Sequence, residues 1–235
     1  MSFQTLFTKM EDHTLIITIN RPEKLNALNS QVMQDLDAVF ERVYKFPEIK
    51  SVIITGAGLK SFVAGADIKE FESLTKEQAT ALAKKGQSIF AKIENAPKPV
   101  IACVNGFALG GGCELAMSCH LIIASDNAIF GQTGPKVGSF DGGLGSSYLA
   151  RIVGQKKARE IWFMTREYNA QEALDMGLVN TVVPVAELEA ETVSWCREML
   201  RNSPMALRLL KASLNAATDG LAGVQQLAGD ATLLF

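Results

Sequence analysis

Apolar positions along the chain fall into short β-branched runs, separated by stretches in which they recur every three or four residues. Residues 14–20 (Thr-Leu-Ile-Ile-Thr-Ile-Asn), 51–55, 99–104 and 120–124 are Ile- and Val-rich and end in turn residues, so they predict strands. Val32, Met33, Leu36, Val39, Phe40 and Val43 recur at helical steps after Ser30, a candidate N-cap; Leu82, Ile89, Phe90 and Ile93 do so less cleanly. One strand followed by repeated strand–helix pairs predicts an α/β fold. Beyond Tyr148 the pattern changes. Residues 156–163, 170–176, 185–200 and 204–215 read as helices, and only 179–183 reads as a strand. The chain therefore divides into an α/β core over residues 1–184 and a helical C-terminal region over 185–235. It shows no internal repeat, low-complexity tract or long linker. It stops at Phe235 inside the apolar run Leu233-Leu234-Phe235, a poor place for a helix to end, so further C-terminal residues are expected.

Composition narrows the function. With 235 residues, 48% of them hydrophobic, the chain can bury a substantial core. A net charge of -2 argues against non-specific binding to nucleic acid or membrane, which leaves small molecules and further copies of the chain as partners. Cys103, Cys113, Cys119 and Cys196 form no Cys-x-x-Cys pair, and the N-terminus carries no charged-then-apolar leader; both fit a reduced, cytoplasmic protein. His13 and His120 are the only histidines, which argues against a His-centred triad or a His-ligated metal, and no metal site is expected. Acid–base work must then fall to carboxylates, hydroxyls or bound water.

The most informative stretch is residues 107–116, Phe-Ala-Leu-Gly-Gly-Gly-Cys-Glu-Leu-Ala. Three glycines without Cβ atoms let the backbone approach a ligand, and the residues after them read as a helix start whose free N–H groups attract negative charge. Glu114 lies one helical turn in, close enough to move protons beside an oxyanion. Taken alone, the triplet fits equally well as a tight contact between helix and sheet.

Three elements together, Arg21-Pro-Glu-Lys-Leu-Asn-Ala-Leu28, Phe62-Val-Ala-Gly-Ala-Asp-Ile-Lys69 and the Gly-Gly-Gly-Cys-Glu segment, resemble the crotonase superfamily of acyl-CoA enzymes. The resemblance runs from about residue 4 to 235. It implies a ββα-spiral core over 1–184 and a C-terminal helical trimerisation region, hence a homo-trimer or hexamer. It also implies an oxyanion hole for a thioester carbonyl built from the N–H groups of Ala66 and Gly111, with Lys24, Asn26, Ala27, Ala64, Asp67 and Ile68 along the coenzyme A channel. The alternative for Lys24 and Asp67 is ordinary solvated charge, which the motif context makes the weaker reading.

Within that superfamily the two halves point to different members. Up to about residue 126 the chain resembles an enoyl-CoA hydratase, whose first catalytic glutamate matches Glu114. The second glutamate of a hydratase would fall at Gly134. From residue 130 onward the chain resembles 1,4-dihydroxy-2-naphthoyl-CoA synthase, a ring-closing family of menaquinone synthesis. That resemblance implies that Ser139 and Asp141 act on an aromatic substrate, and that Gln132, Gly134 and Trp162 hold a bicarbonate replacing the missing carboxylate. A Gly leaves a carboxylate-sized void there, and amide and indole N–H groups can hold a small anion. Taken alone, Trp162 would read as plain core and Gly134 as a turn residue before Pro135. The chain departs from the synthase in keeping Glu114, in a plainer loop over residues 67–71, and in lacking a tyrosine that would fall past Phe235; a mixed or engineered sequence would account for this.

The leading expectation is an acyl-CoA lyase closing a ring on an o-succinylbenzoyl-CoA-like substrate. The alternative adds water across a 2-enoyl-CoA, as in fatty-acid oxidation. Neither needs a tightly bound cofactor: coenzyme A enters as part of the substrate, with bicarbonate as the candidate accessory. A third reading is a non-catalytic binding protein using the helix that bears Lys76, Lys84, Lys85 and Lys92. These lysines make no clean stripe, and a solvated face explains them better.

Overall fold

The computed structural model describes residues 3–71, 74–138 and 145–216. The chain enters through a hairpin, β1 (Leu6–Glu11) and β2 (Thr14–Ile19), whose two-residue turn places Asp12 and His13 at φ 45° and 66°. Positive φ at both central residues matches the twist of the flanking strands. A 3-10 turn (Pro22–Lys24) leads to α1 (Ser30–Lys45). Asn29, rather than Ser30, caps this helix: its backbone is extended, and its side chain accepts the Val32 N–H.

Three ββα units follow. β3 (Ser51–Gly56) and β4 (Ser61–Val63) precede α2 (Ile68–Phe71) and α3 (Lys76–Glu94). β5 (Val100–Val104) and β6 (Phe107–Leu109) precede α4 (Gly111–Ser118). β7 (Leu121–Ser125) and β8 (Ile129–Gly131) lead to a 3-10 turn (Gly134–Val137) and, later, α5 (Gly145–Val153). The chain closes with α6 (Gln155–Met164), β9 (Glu167–Asn169), α7 (Ala170–Asp175), β10 (Thr181–Val183), α8 (Leu188–Met199) and α9 (Pro204–Ala216).

The first strand of each unit joins a six-stranded sheet, order β1-β2-β3-β5-β7-β10, parallel from β2 onward; the second joins a four-stranded sheet, order β4-β6-β8-β9. This backbone repeat leaves no repeat in the sequence. In the larger sheet Ile17, Ile54 and Ala102 join the core cluster shared with Val32, Leu36 and Phe40 of α1 and Ile89 and Ile93 of α3. Ile16, Ile53, Ile101 and Ile123 join a second cluster with Leu188, Val193 and Cys196 of α8. Burial on both faces explains why these strands read as continuous apolar runs.

Residues 188–199, assigned by sequence to a separate C-terminal region, thus complete the core of the larger sheet. α8 begins at Leu188, since the Glu187 N–H turns back to Pro184 O. β9, missed in the sequence, pairs antiparallel to β8. None of the described helices is long and apolar enough to cross a membrane.

Candidate active site

The four-stranded sheet delivers the candidate residues. β4, β6 and β8 run parallel, with Val63 paired to Ala108 and Leu109 to Gly131. Each strand ends on the same side: β4 three residues before Ala66, β6 two before Gly111, and β8 one before Gln132. Ligands in α/β folds collect at carboxyl ends of parallel strands for this reason.

Ala66 forms a parallel bridge with Leu28: Leu28 N–H donates to Gly65 O at 2.8 Å, and Asp67 N–H to Leu28 O at 2.8 Å. That pairing uses the groups on either side of Ala66 and turns its own N–H the other way. Gly111 is the first residue of α4, where the N–H precedes the intrahelical ladder. Leu28 touches both places, since an ideal Cβ on Gly111 would lie 3.4 Å from its Cδ1. The two N–H groups of the sequence expectation are thereby brought to adjacent strand ends.

The Gly triplet does two jobs at once. Gly110 has φ 50° and ψ -120°, a conformation for glycine, and its N–H bonds Gly131 O at 2.8 Å. A Cβ on Gly112 would come 1.9 Å from Val63 O, so tight helix-to-strand contact is why that glycine is there. Glu114 is buried in the first turn of α4.

The segment around residues 24–28 runs beside 64–68, which brings the candidate coenzyme A residues together: Ala64 N–H donates to Leu25 O at 3.1 Å. Lys24 and Ile68 are exposed, and Ala27 and Ala64 partly so. Asn26 is fully buried, its amide donating to Ala57 O and Ser61 O and its Oδ1 accepting the Arg21 N–H, so its side chain is structural. Arg21, absent from the candidate set, ties the two segments: it donates to Ala27 O at 2.6 Å and to Asp67 Oδ2 at 2.8 Å. That hydrogen bond holds the Asp67 carboxyl below the usual carboxylate range. The one hint of this role in the sequence was the place of Arg21 at the head of the Arg21–Leu28 segment.

Gln132 is buried just past β8, Gly134 opens the following 3-10 turn, and Trp162 lies on α6, which leads into β9. Ser139 and Asp141 lie outside the described residues. All four cysteines are free and buried, and burial pushes the Cys113 thiol up to about 12, which keeps it out of nucleophilic chemistry. Lys92 is engaged by Asp37 and, at 2.8 Å, by Glu41, which removes one lysine from any basic stripe on α3. A cavity of about 500 Å³ lies elsewhere, lined by Glu94, Met117, His120, Tyr148 and Lys211 among others. Its α4 residues, Met117 and Ser118, lie at the opposite end of that helix from Gly111, and the strand-end geometry is the better guide to the chemistry.

The fold is that of the crotonase-type α/β proteins. Residues 9–235 match the family described as enoyl-CoA hydratase/isomerase. Among solved structures, the chain is 33% identical to an enoyl-CoA hydratase from Bacillus anthracis, with TM-score 0.90 and coverage of 97% of this chain and 90% of that one. It is 34% identical to an enoyl-CoA hydratase subunit from Geobacillus kaustophilus, with TM-score 0.90 and coverage of 99% and 90%. It is 33% identical to an enoyl-CoA hydratase from Thermoplasma volcanium, with TM-score 0.88 and coverage of 100% and 93%. The chain belongs to the enoyl-CoA hydratase/isomerase family, within the crotonase superfamily.

Proposed function

We propose that the protein is an acyl-CoA lyase that holds a thioester enolate between the N–H groups of Ala66 and Gly111, and that it closes a ring on an o-succinylbenzoyl-CoA-like substrate, as 1,4-dihydroxy-2-naphthoyl-CoA synthase does. One observation carries the ring-closing reading. Among the described residues, the buried side-chain nitrogens and oxygens without a hydrogen-bond partner are Gln132 Nε2, Gln132 Oε1 and Trp162 Nε1. Leaving such atoms unpaired costs about 1–3 kcal/mol each, which a small bound oxyanion would relieve. Two N–H donors and one carbonyl acceptor suit bicarbonate, which has oxygens to accept and one O–H to donate. Bound beside Gly134, bicarbonate would supply the carboxylate base that a second glutamate supplies in a hydratase.

The remaining work belongs to the chain. Removing a proton from the carbon next to a thioester sends charge to the thioester oxygen, and each preorganised N–H there is worth about 3–4 kcal/mol in the transition state. Lys24 is exposed, free to meet coenzyme A phosphates, while Arg21 fixes the channel wall through Asp67 and Ala27. Ser139 and Asp141 are assigned to the aromatic carboxyl on which the ring closes. The exposed Phe163, Leu210 and Leu214 fit a trimer or a dimer of trimers, testable by light scattering.

Water addition to a 2-enoyl-CoA is the second reading, favoured by the buried Glu114. With Gly134 in place of its partner, such a hydratase should run on the order of 10²–10⁴ below a paired one. A side-by-side assay with o-succinylbenzoyl-CoA and crotonyl-CoA, with and without bicarbonate, separates the two. Ring closure that rises with bicarbonate, with binding of ¹³C-bicarbonate lost in Gln132→Leu, supports the synthase. Crotonyl-CoA hydration without ring closure at saturating bicarbonate overturns it. Gly134→Glu should make ring closure independent of bicarbonate and raise hydration.

A further inference from the structure

Glu114 sits between two helices, its own α4 and the start of α5. A Cβ added to Gly145, the first residue of α5, would lie 2.6 Å from Glu114 Cγ, 2.9 Å from Cδ and 3.0 Å from Oε1. There is no slack at this contact, so where α5 begins decides where the carboxylate can stand.

Both helices are tied to one residue. Tyr148, one turn into α5, donates its hydroxyl to Oε2 of Glu94, the last residue of α3. The main-chain oxygen of Glu94 receives the other tie: His120, two residues past the end of α4, points Nε2 at it at 3.0 Å. The tautomer follows from the partners. His120 Nδ1 accepts the Val100 N–H at 2.7 Å, so the proton is on Nε2, which donates to Glu94 O. The same hydrogen bond fastens the assembly to β5. The next residue, Leu149, is buried against the core.

We propose that Glu94 is a positioning residue for Glu114: through Tyr148 it holds α5, through His120 it holds the exit of α4, and the two helices meet at the Glu114 carboxylate. This rests on the reading that Glu114 moves a proton in the reaction. Glu94 and Tyr148 touch no reacting atom in that reading; they act through the helix geometry. Displacements well under an ångström at a proton-transfer group are enough to slow turnover.

Tyr148→Phe removes only the hydroxyl, Glu94→Ala removes the acceptor, and Glu94→Gln keeps an oxygen for Tyr148. The rate is measured on whichever of crotonyl-CoA and o-succinylbenzoyl-CoA the wild type turns over, and hydrogen exchange is followed by peptide mass spectrometry. Tyr148→Phe and Glu94→Ala should lower kcat about tenfold with KM within about twofold, and Glu94→Gln should restore most of it. Exchange should quicken over residues 145–153 and stay unchanged over β2, β3 and β5. Gly145→Ala pushes the carboxylate directly, so combining it with Tyr148→Phe should slow turnover by less than the product of the two separate effects. Wild-type kcat together with wild-type exchange in Tyr148→Phe overturns the proposal. So does a loss of rate accompanied by faster exchange across the whole larger sheet, which marks general destabilisation. If the wild type turns over neither thioester, the functional reading fails, and the exchange over residues 145–153 still decides whether Glu94 holds α5.

Discussion

The two sheets of this protein are built from the same three ββα units and obey different rules. Strands of the six-stranded sheet run five or six residues in β3, β5 and β7 and carry unbroken apolar runs of three to five residues, because both faces meet helices. Strands of the four-stranded sheet are three residues long, and the parallel ones, β4, β6 and β8, end toward the candidate site. Both sheets share one core cluster, but the long apolar strands belong to the first sheet and the candidate site lies at the strand ends of the second. A short strand that stops early leaves backbone N–H groups free, which is what an oxyanion pocket needs and what a core cannot tolerate.

The sharpest way to break this contrast is a deep truncation in the larger core. Phe40 on α1 is fully buried. Phe40→Ala should lower the unfolding free energy by about 3–5 kcal/mol in urea titrations. Turnover per folded molecule should stay at the wild-type value. A kcat reduced more than about tenfold would show that the sheets are not separable in this way.

The converse experiment removes one donor from the smaller sheet. Proline is well tolerated at the first position of a helix, and Gly111 occupies that position in α4. Gly111→Pro should fold, with wild-type circular dichroism, and lose about 10²–10³ in kcat. A folded variant with wild-type kcat would remove Gly111 N–H from the oxyanion pocket.

The same contrast explains what the sequence disclosed. Residues 14–20, 51–55, 99–104 and 120–124 were legible because a strand buried on both faces needs an unbroken apolar run. Nothing comparable marks Ser61–Val63 or Glu167–Asn169, which are too short for any period to register. The hairpin turn at Asp12 and His13 was also hidden, since it lacks the Asn-Gly or Asp-Gly signal that such positive φ values usually bring. At the site, Ala66 and Gly111 came from the family resemblance, and Glu114 from its place one turn after the Gly triplet. Asn26 shows the limit of that reasoning: its place in a motif is explained by three hydrogen bonds to the chain's own backbone. The unpaired atoms of Gln132 and Trp162 could be seen only once burial and partners were known.

A smaller effect belongs to the larger sheet again. His120, adjoining β7, is held neutral by burial, its pKa pulled down from 6.5 to about 3. Above pH 6.5 both folded and unfolded chains carry a neutral imidazole, so there is no penalty. Below it the unfolded chain takes up a proton that the folded one refuses, which lowers stability by about 1.4 kcal/mol per pH unit until the folded value is reached. The unfolding free energy measured in urea should therefore fall by about 2 kcal/mol more from pH 7 to pH 5 in the wild type than in His120→Gln. Parallel pH dependences would show that His120 is not protected from charging.

The smallest effect expected is at the edge of the smaller sheet, in the Arg21–Asp67 ion pair. The Arg21 Nη2 to Asp67 Oδ2 distance is 2.8 Å, and the side chains are 13% and 18% exposed, so the pair is neither fully solvated nor deeply buried. An ion pair in that setting contributes about 1 kcal/mol. The Asp67 pKa is lowered in the folded state, chiefly by the Arg21 hydrogen bond, so the stabilisation is fully present above the unfolded value of about 3.9 and is lost as pH falls through the folded one. Asp67→Asn should therefore unfold about 1 kcal/mol more easily at pH 7, and the two unfolding curves should converge in acid. Because the pair also fastens residues 24–28 to residues 64–68, the variant should raise KM for a coenzyme A thioester by more than it lowers kcat. A wild-type KM alongside the expected loss of stability would confine the pair to the fold and take Asp67 out of the ligand channel.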